Sequence, residues 1–95
     1  MSTIVMKFGG TSVADMTRLM AVAEIIRHQV TNGNNVIAVV SAMAGQTNDL
    51  TQRVDKIGTL YDAREYAAIV SAGENITAGL LSLQLQKISI NARSW

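Results

Sequence analysis

The chain contains no cysteine, which excludes a disulfide framework and a thiolate metal site. Charge is also scarce. Asp, Glu, Lys and Arg make up 16% of the residues, against roughly 25% in an average soluble protein. Hydrophobic residues make up 48%, so there is little charge to dress an isolated surface, and more chain or a partner is expected to cover part of the apolar surface. Neither sign dominates: the net charge of +1 argues against a general nucleic-acid binder or a membrane-surface binder. No apolar run approaches the about 20 residues needed to span a bilayer. The amino terminus lacks the apolar core of a signal peptide, which leaves the cytoplasm as the expected location. There is no internal repeat, low-complexity run or linker. The single histidine, His28, stands beside Arg27 on a polar helix face, where a solvated role fits better than a catalytic one. A chain of 95 residues makes one small domain at most, burying about two-thirds of its unfolded surface.

What is present is organised around Lys7-Phe8-Gly9-Gly10-Thr11-Ser12. Thr3-Ile4-Val5-Met6 before it is β-branched and apolar and predicts a strand, and from Val13 apolar residues recur at helical spacing. Gly9 and Gly10 therefore fall in a tight strand-to-helix turn. Without Cβ atoms they permit positive φ and close approach of a ligand to the main-chain N–H groups. A helix amino terminus adds unpaired donors and the positive end of a dipole, which suits an anion such as phosphate. Lys7 adds a full positive charge, and Ser12 with Asp15 resembles a Ser-x-x-acid cap. The pattern is not a Walker A loop, whose lysine follows the glycines, and it lacks the third glycine of the dinucleotide fingerprint. A phosphate cradle and a plain turn with a solvated lysine are both compatible with it.

Farther along, Val13, Met16, Leu19, Met20, Val22, Ala23, Ile26 and Val30 form one stripe of an amphipathic helix that ends at Thr31-Asn32-Gly33-Asn34. Val36 to Val40 is short and continuously apolar, as in a parallel strand buried on both faces. Strand, helix, strand makes a βαβ unit of an α/β fold, in which ligands bind outside the carboxyl ends of the strands, where Lys7 and Ser41 lie. The loop Ser41-Ala42-Met43-Ala44-Gly45-Gln46-Thr47-Asn48 leads into a helix through Leu50, Val54 and Ile57, ended by Gly58. Thr47 or Asn48 can cap that helix, or Ser41 and Thr47 can present hydroxyls to a polar substrate. Spacing alone does not choose between these roles. Asp62 caps a further helix with Tyr66, Ile69 and Val70 inward, interrupted by Ser71-Ala72-Gly73-Glu74. Glu74, in an apolar, small-residue neighbourhood, is either a cap or a ligand for a cation such as a substrate ammonium. Gly79 predicts close packing in the next helix, and Ile88-Ser89-Ile90-Asn91-Ala92 alternates as a third strand.

Taken together, Lys7 to Val13, Val39 to Asn48 and Ser71 to Glu74, in this order and at these separations, resemble the amino-terminal part of the aspartokinases. The resemblance runs the length of the chain. Each motif is weak alone, and the three together are specific. The resemblance implies the amino-acid-kinase fold, a three-layer αβα architecture with a mostly parallel sheet. Residues 1–95 would form its amino-terminal portion, with about three strands and three to four helices and no regulatory ACT domain. It implies phosphorylation of the side-chain carboxylate of L-aspartate by ATP, with Mg2+ carried by the nucleotide, at the head of lysine, methionine and threonine biosynthesis. The matched Lys7, Gly9 and Gly10 would contact the phosphates, with Phe8, Thr11 and Ser12 in the same loop and Lys7 in the catalytic role. The matched Ser41, Thr47 and Glu74 would belong to the aspartate side.

Family members are several times longer, so a second glycine-rich loop, the base pocket and further aspartate contacts have no counterpart here. A truncated product or fragment, inactive by itself, is the expectation. Partner arrangements compatible with the sequence are a homo-oligomer and association with a full-length kinase chain. Two other functional readings compete: a different amino-acid kinase, and a non-catalytic remnant or interaction module. The second draws on the low charge and on a sheet with open edges that needs covering.

Overall fold

The computed structural model describes residues 2–58 and 62–94. Its elements are β1 (Thr3–Phe8), α1 (Met16–Thr31), β2 (Asn35–Val40), α2 (Gln46–Ile57) and α3 (Ala63–Lys87). The β-branched and apolar runs pair as parallel strands, from Thr3 opposite Asn35 to Phe8 opposite Val40, with α1 as the crossover. Because strand side chains alternate, Met6, Phe8, Val36, Ala38 and Val40 share one face. That face packs against Leu19, Val22, Ala23 and Ile26 of α1 and Leu81 and Leu85 of α3, forming the core.

Helix α1 follows the expected stripe only in part. Leu19, Val22, Ala23 and Ile26 are buried, whereas Met16 and Met20 are exposed at the margin. The helix ends as its sequence suggests, with the Asn32 N–H donating to the His28 carbonyl (3.1 Å) and Gly33 in the left-handed region at φ 90. No helix among the described residues is long and apolar enough to cross a membrane.

Four expectations are corrected. The segment Ser71-Ala72-Gly73-Glu74 does not interrupt a helix, because α3 runs unbroken for 25 residues from its Asp62 cap, whose carboxylate accepts from the Arg64 and Glu65 N–H groups. Its buried face, Gly73, Thr77, Leu81 and Leu85, recurs every four residues. Gly73 belongs there because a Cβ would meet Ala42 Cβ and Gln46 Cγ at 3.1 Å each, so the missing side chain lets α3 seat on the second loop. At Gly79, by contrast, a Cβ would meet nothing within 4 Å, so close packing does not require glycine there. Thr77 is fully buried, and its hydroxyl is satisfied by donating to the Gly73 carbonyl at 3.2 Å.

The third strand is also absent among the described residues. Helix α3 closes with the Ile88 N–H on the Gln84 and Leu85 carbonyls, Ser89 turns into the left-handed region (φ 68), and the Ile90 N–H returns to the Leu85 carbonyl at 2.9 Å. Ile88, Ile90 and Ala92 still pack on the core. Their alternation therefore reflects burial without strand pairing.

The last correction concerns β2, which is not buried on both faces. Val5, Ile37 and Val39 are 66%, 55% and 47% exposed on the side away from the core. With a bare face and only two strands, the molecule is extended. Its radius of gyration is 15.3 Å, against roughly 12 Å for a compact domain of this length.

Candidate active site

Two loops meet at the carboxyl edge of the sheet. The first leaves β1 at Phe8 and folds on itself, with the Ser12 and Val13 N–H groups both donating to the Gly9 carbonyl (3.0 and 3.3 Å). Val13, fully buried, anchors it in the core. Asp15 caps α1, its carboxylate accepting from the Arg18 N–H at 2.9 Å, so the expected Ser12 cap is replaced by the residue three places on. Neither Gly9 nor Gly10 takes a positive φ. Their use is space: a Cβ on Gly9 would meet nothing within 4 Å, and one on Gly10 would meet only the Ala42 carbonyl at 3.8 Å. The N–H groups of Gly10 and Thr11 meet no acceptor among the described residues, which leaves two donors open to an anion.

The second loop leaves β2 with the Ser41 N–H donating to the Phe8 carbonyl at 3.2 Å, which extends the sheet ladder by one bond. It turns at Gly45, whose φ of 78 is the left-handed conformation that glycine adopts without strain. Gly45 is the amino-terminal cap of α2 and carries no side chain to bond the first turn. Neither Thr47 nor Asn48 is the cap; both lie in that first turn, whose dipole end is open. A bond from the Ala44 N–H to the Ala14 carbonyl (3.2 Å) ties the two loops together.

Between them lies a cleft of about 480 Å³, lined by Gly10, Thr11, Ala14, Arg18, Ala42 to Gly45, Thr47 and Asn48. It joins Gly10, Thr11 and Thr47 from the sequence-derived set. Phe8 contributes main chain at the edge while its ring lies in the core. Lys7 is exposed and has no carboxylate partner among the described residues. By strand alternation it emerges with Val5 on the bare face, beside the cleft rather than in it. Ser41 is half-buried between the strand ends, and Ser12 is exposed on the first loop. Glu74 lines a separate groove along β2 with Val36 to Val40. The contact of its neighbour Gly73 with Ala42 sets that groove next to the second loop.

Arg18 is not among the residues that the sequence pattern singles out. Its guanidinium donates to the Thr11 carbonyl at 3.0 Å and lines the cleft. The signal was available. A long side chain in the first turn of a helix leans back toward the amino terminus, over the loop that precedes it.

This geometry brings open N–H donors, Arg18 and hydroxyls to the strand ends of a βαβ unit, with Lys7 beside them, and the sequence and fold are similar to those of known proteins. Residues 2–94 match the profile of the Amino acid kinase family. The aspartokinase of Rickettsia felis is 44% identical over 98 residues, covering 100% of this chain and 24% of that protein. The aspartokinase of Pseudomonas aeruginosa is 42% identical over 95 residues, covering 100% and 23%. The crystal structure of aspartate kinase from Synechocystis superimposes with a TM-score of 0.84 at 43% identity, over 88% of this chain and 14% of that one. The chain thus spans about a quarter of the length of the curated relatives it matches. With a match that extends from Ser2 to Ser94 through both loops and all five elements, the chain belongs to the amino acid kinase family.

Proposed function

We propose that this chain forms the phosphate cradle and part of the amino-acid pocket of an aspartate kinase, which converts ATP and L-aspartate to 4-phospho-L-aspartate and ADP. The observation that carries the proposal is whole-length similarity to aspartokinases, which runs through both loops of the cleft. In this reading residues 1–95 belong to the amino-terminal portion of the kinase domain and are inactive without the rest of it. The setting is cytoplasmic amino-acid biosynthesis.

The chemistry is phosphoryl transfer. A side-chain carboxylate oxygen of aspartate attacks the γ-phosphorus, the bond from that phosphorus to the β,γ-bridging oxygen breaks, and ADP leaves with the electron pair. Such a reaction asks the protein mainly for alignment and charge stabilisation. Lys7 and the open N–H groups beside Gly9 and Gly10 stabilise charge on the moving phosphoryl, with Phe8, Thr11 and Ser12 shaping the loop. Ser41 and Thr47 present hydroxyls to aspartate, and the exposed Glu74 carboxylate faces its ammonium. Mg2+ would be carried by the nucleotide's own phosphates.

The test is a fusion of this chain to the part of the Pseudomonas aeruginosa aspartokinase that follows the matched stretch, assayed for ADP release. Aspartate-dependent turnover is expected, with Lys7→Ala lowering kcat/KM by about 100-fold or more. Turnover with glutamate in place of aspartate, or full activity in the Lys7→Ala fusion, overturns the assignment.

A further inference from the structure

We infer that Arg18 is a positioning residue for nucleotide binding: its guanidinium braces the turn of residues 9–12 from the first turn of α1, and so holds the open N–H donors of Gly10 and Thr11 in place. The inference rests on the proposed function for what the turn binds. The brace itself is a matter of geometry.

Gly9, Gly10, Thr11 and Ser12 are all exposed, and none of them joins the core. Buried Phe8 and Val13 fix the two ends of the turn. Its middle is fixed through one peptide group, the one between Thr11 and Ser12, which is bonded on both sides. Its N–H donates to the Gly9 carbonyl at 3.0 Å, and its carbonyl accepts from Arg18 Nη1 at 3.0 Å. Arg18 is held at its other end as well. Its own N–H donates to the Asp15 carboxylate at 2.9 Å, and the next N–H, of Leu19, donates to the Asp15 carbonyl at 2.9 Å. One residue thus ties the turn to the helix cap through both its main chain and its side chain. Among the described residues no carboxylate pairs with this guanidinium, and no other side chain hydrogen-bonds to residues 9–12. A charged donor makes a stronger bond to a carbonyl than a neutral one, and it also offsets the partial negative charge of a carbonyl beside the cleft, which repels a phosphate. Without it the Thr11–Ser12 peptide is free to rotate and the turn loosens. A cradle that is already ordered loses less entropy on binding, so the brace acts on nucleotide affinity.

The experiment uses the fusion to the Pseudomonas aeruginosa kinase described above. It compares Arg18→Met, which keeps an unbranched stem without a donor, with Arg18→Lys, which keeps a cationic donor. Two quantities are read: amide hydrogen exchange across the turn in the absence of nucleotide, and steady-state kinetics. Arg18→Met should speed exchange of the Ser12 and Val13 N–H groups about tenfold while β2 stays protected, and should raise the KM for ATP about tenfold with the KM for aspartate within about twofold of the parent. Because the contact is a single bond rather than a bidentate fork, Arg18→Lys should bring both quantities to within about threefold of the parent. Arg27→Met, farther along α1, leaves both unchanged. The inference is overturned by unchanged exchange in Arg18→Met, by equal rises in the two KM values, or by an Arg18→Lys variant no better than Arg18→Met. Loss of protection throughout β2 in Arg18→Met makes its role one of general stability and overturns the inference too. Faster exchange confined to the turn, in a fusion whose parent shows no aspartate-dependent ADP release, counts against the aspartate kinase reading and leaves the brace standing.

Discussion

The two faces of the β1–β2 sheet are built from nearly the same chemistry and have different fates. Phe8 is buried and Met6, Ala38 and Val40 are partly buried under two helices, while Val5, Ile37 and Val39 meet solvent. Hydrophobicity therefore does not tell where this chain's own core lies. What distinguishes the faces is the reach of the connections: α1 must cross from β1 to β2, α3 follows on the same side, and no described element reaches the other side. Among the described residues, the strip of Val5, Ile37 and Val39 has no cover.

The contrast can be broken most forcefully on the covered side. Leu19 is fully buried, and Leu19→Ala should lower the unfolding free energy by about 3 kcal/mol, read as a displaced urea midpoint. An unchanged midpoint would mean that α1 is not seated on the sheet. Next in size is Gly73→Val, which forces side-chain atoms into Ala42 and Gln46 and should cost about 1–3 kcal/mol in the same measurement. Thermal melts in which it equals the parent would deny the contact between α3 and the second loop. Smallest is Val39→Thr on the bare face, expected to change stability by no more than about 0.5 kcal/mol. A loss above about 1 kcal/mol would show that this face is already covered.

Much of the fold was legible because its signals are local. The β-branched runs, the helical stripe closing at Gly33 and the Asp62 cap each act within a few residues and each is observed, although α1 starts from Asp15 and not from Ser12. What failed depended on distant partners. The alternation from Ile88 to Ala92 is real, but a strand also needs an edge to bond, and the α3 closure diverts the backbone at Ser89. The glycines were interchanged for the same reason. Gly73 looks like a breaker until Ala42 is known to lie against it, and Gly45, not Gly9 or Gly10, carries the left-handed turn. At the site, sequence order brought Gly10, Thr11 and Thr47 into one cleft. It could not foresee that strand alternation sends Lys7 to the bare face, nor that Arg18 folds back onto the first loop.

The bond from Ala44 to Ala14 has a mechanical meaning. It fastens the turn that would hold the acceptor molecule to the shoulder of the turn that would hold the donor, so neither can swing without dragging its neighbour. In the proposed reading this strap of main chain would help fix the spacing of the two reactants, and Ala44→Pro, which deletes the N–H donor, would remove it.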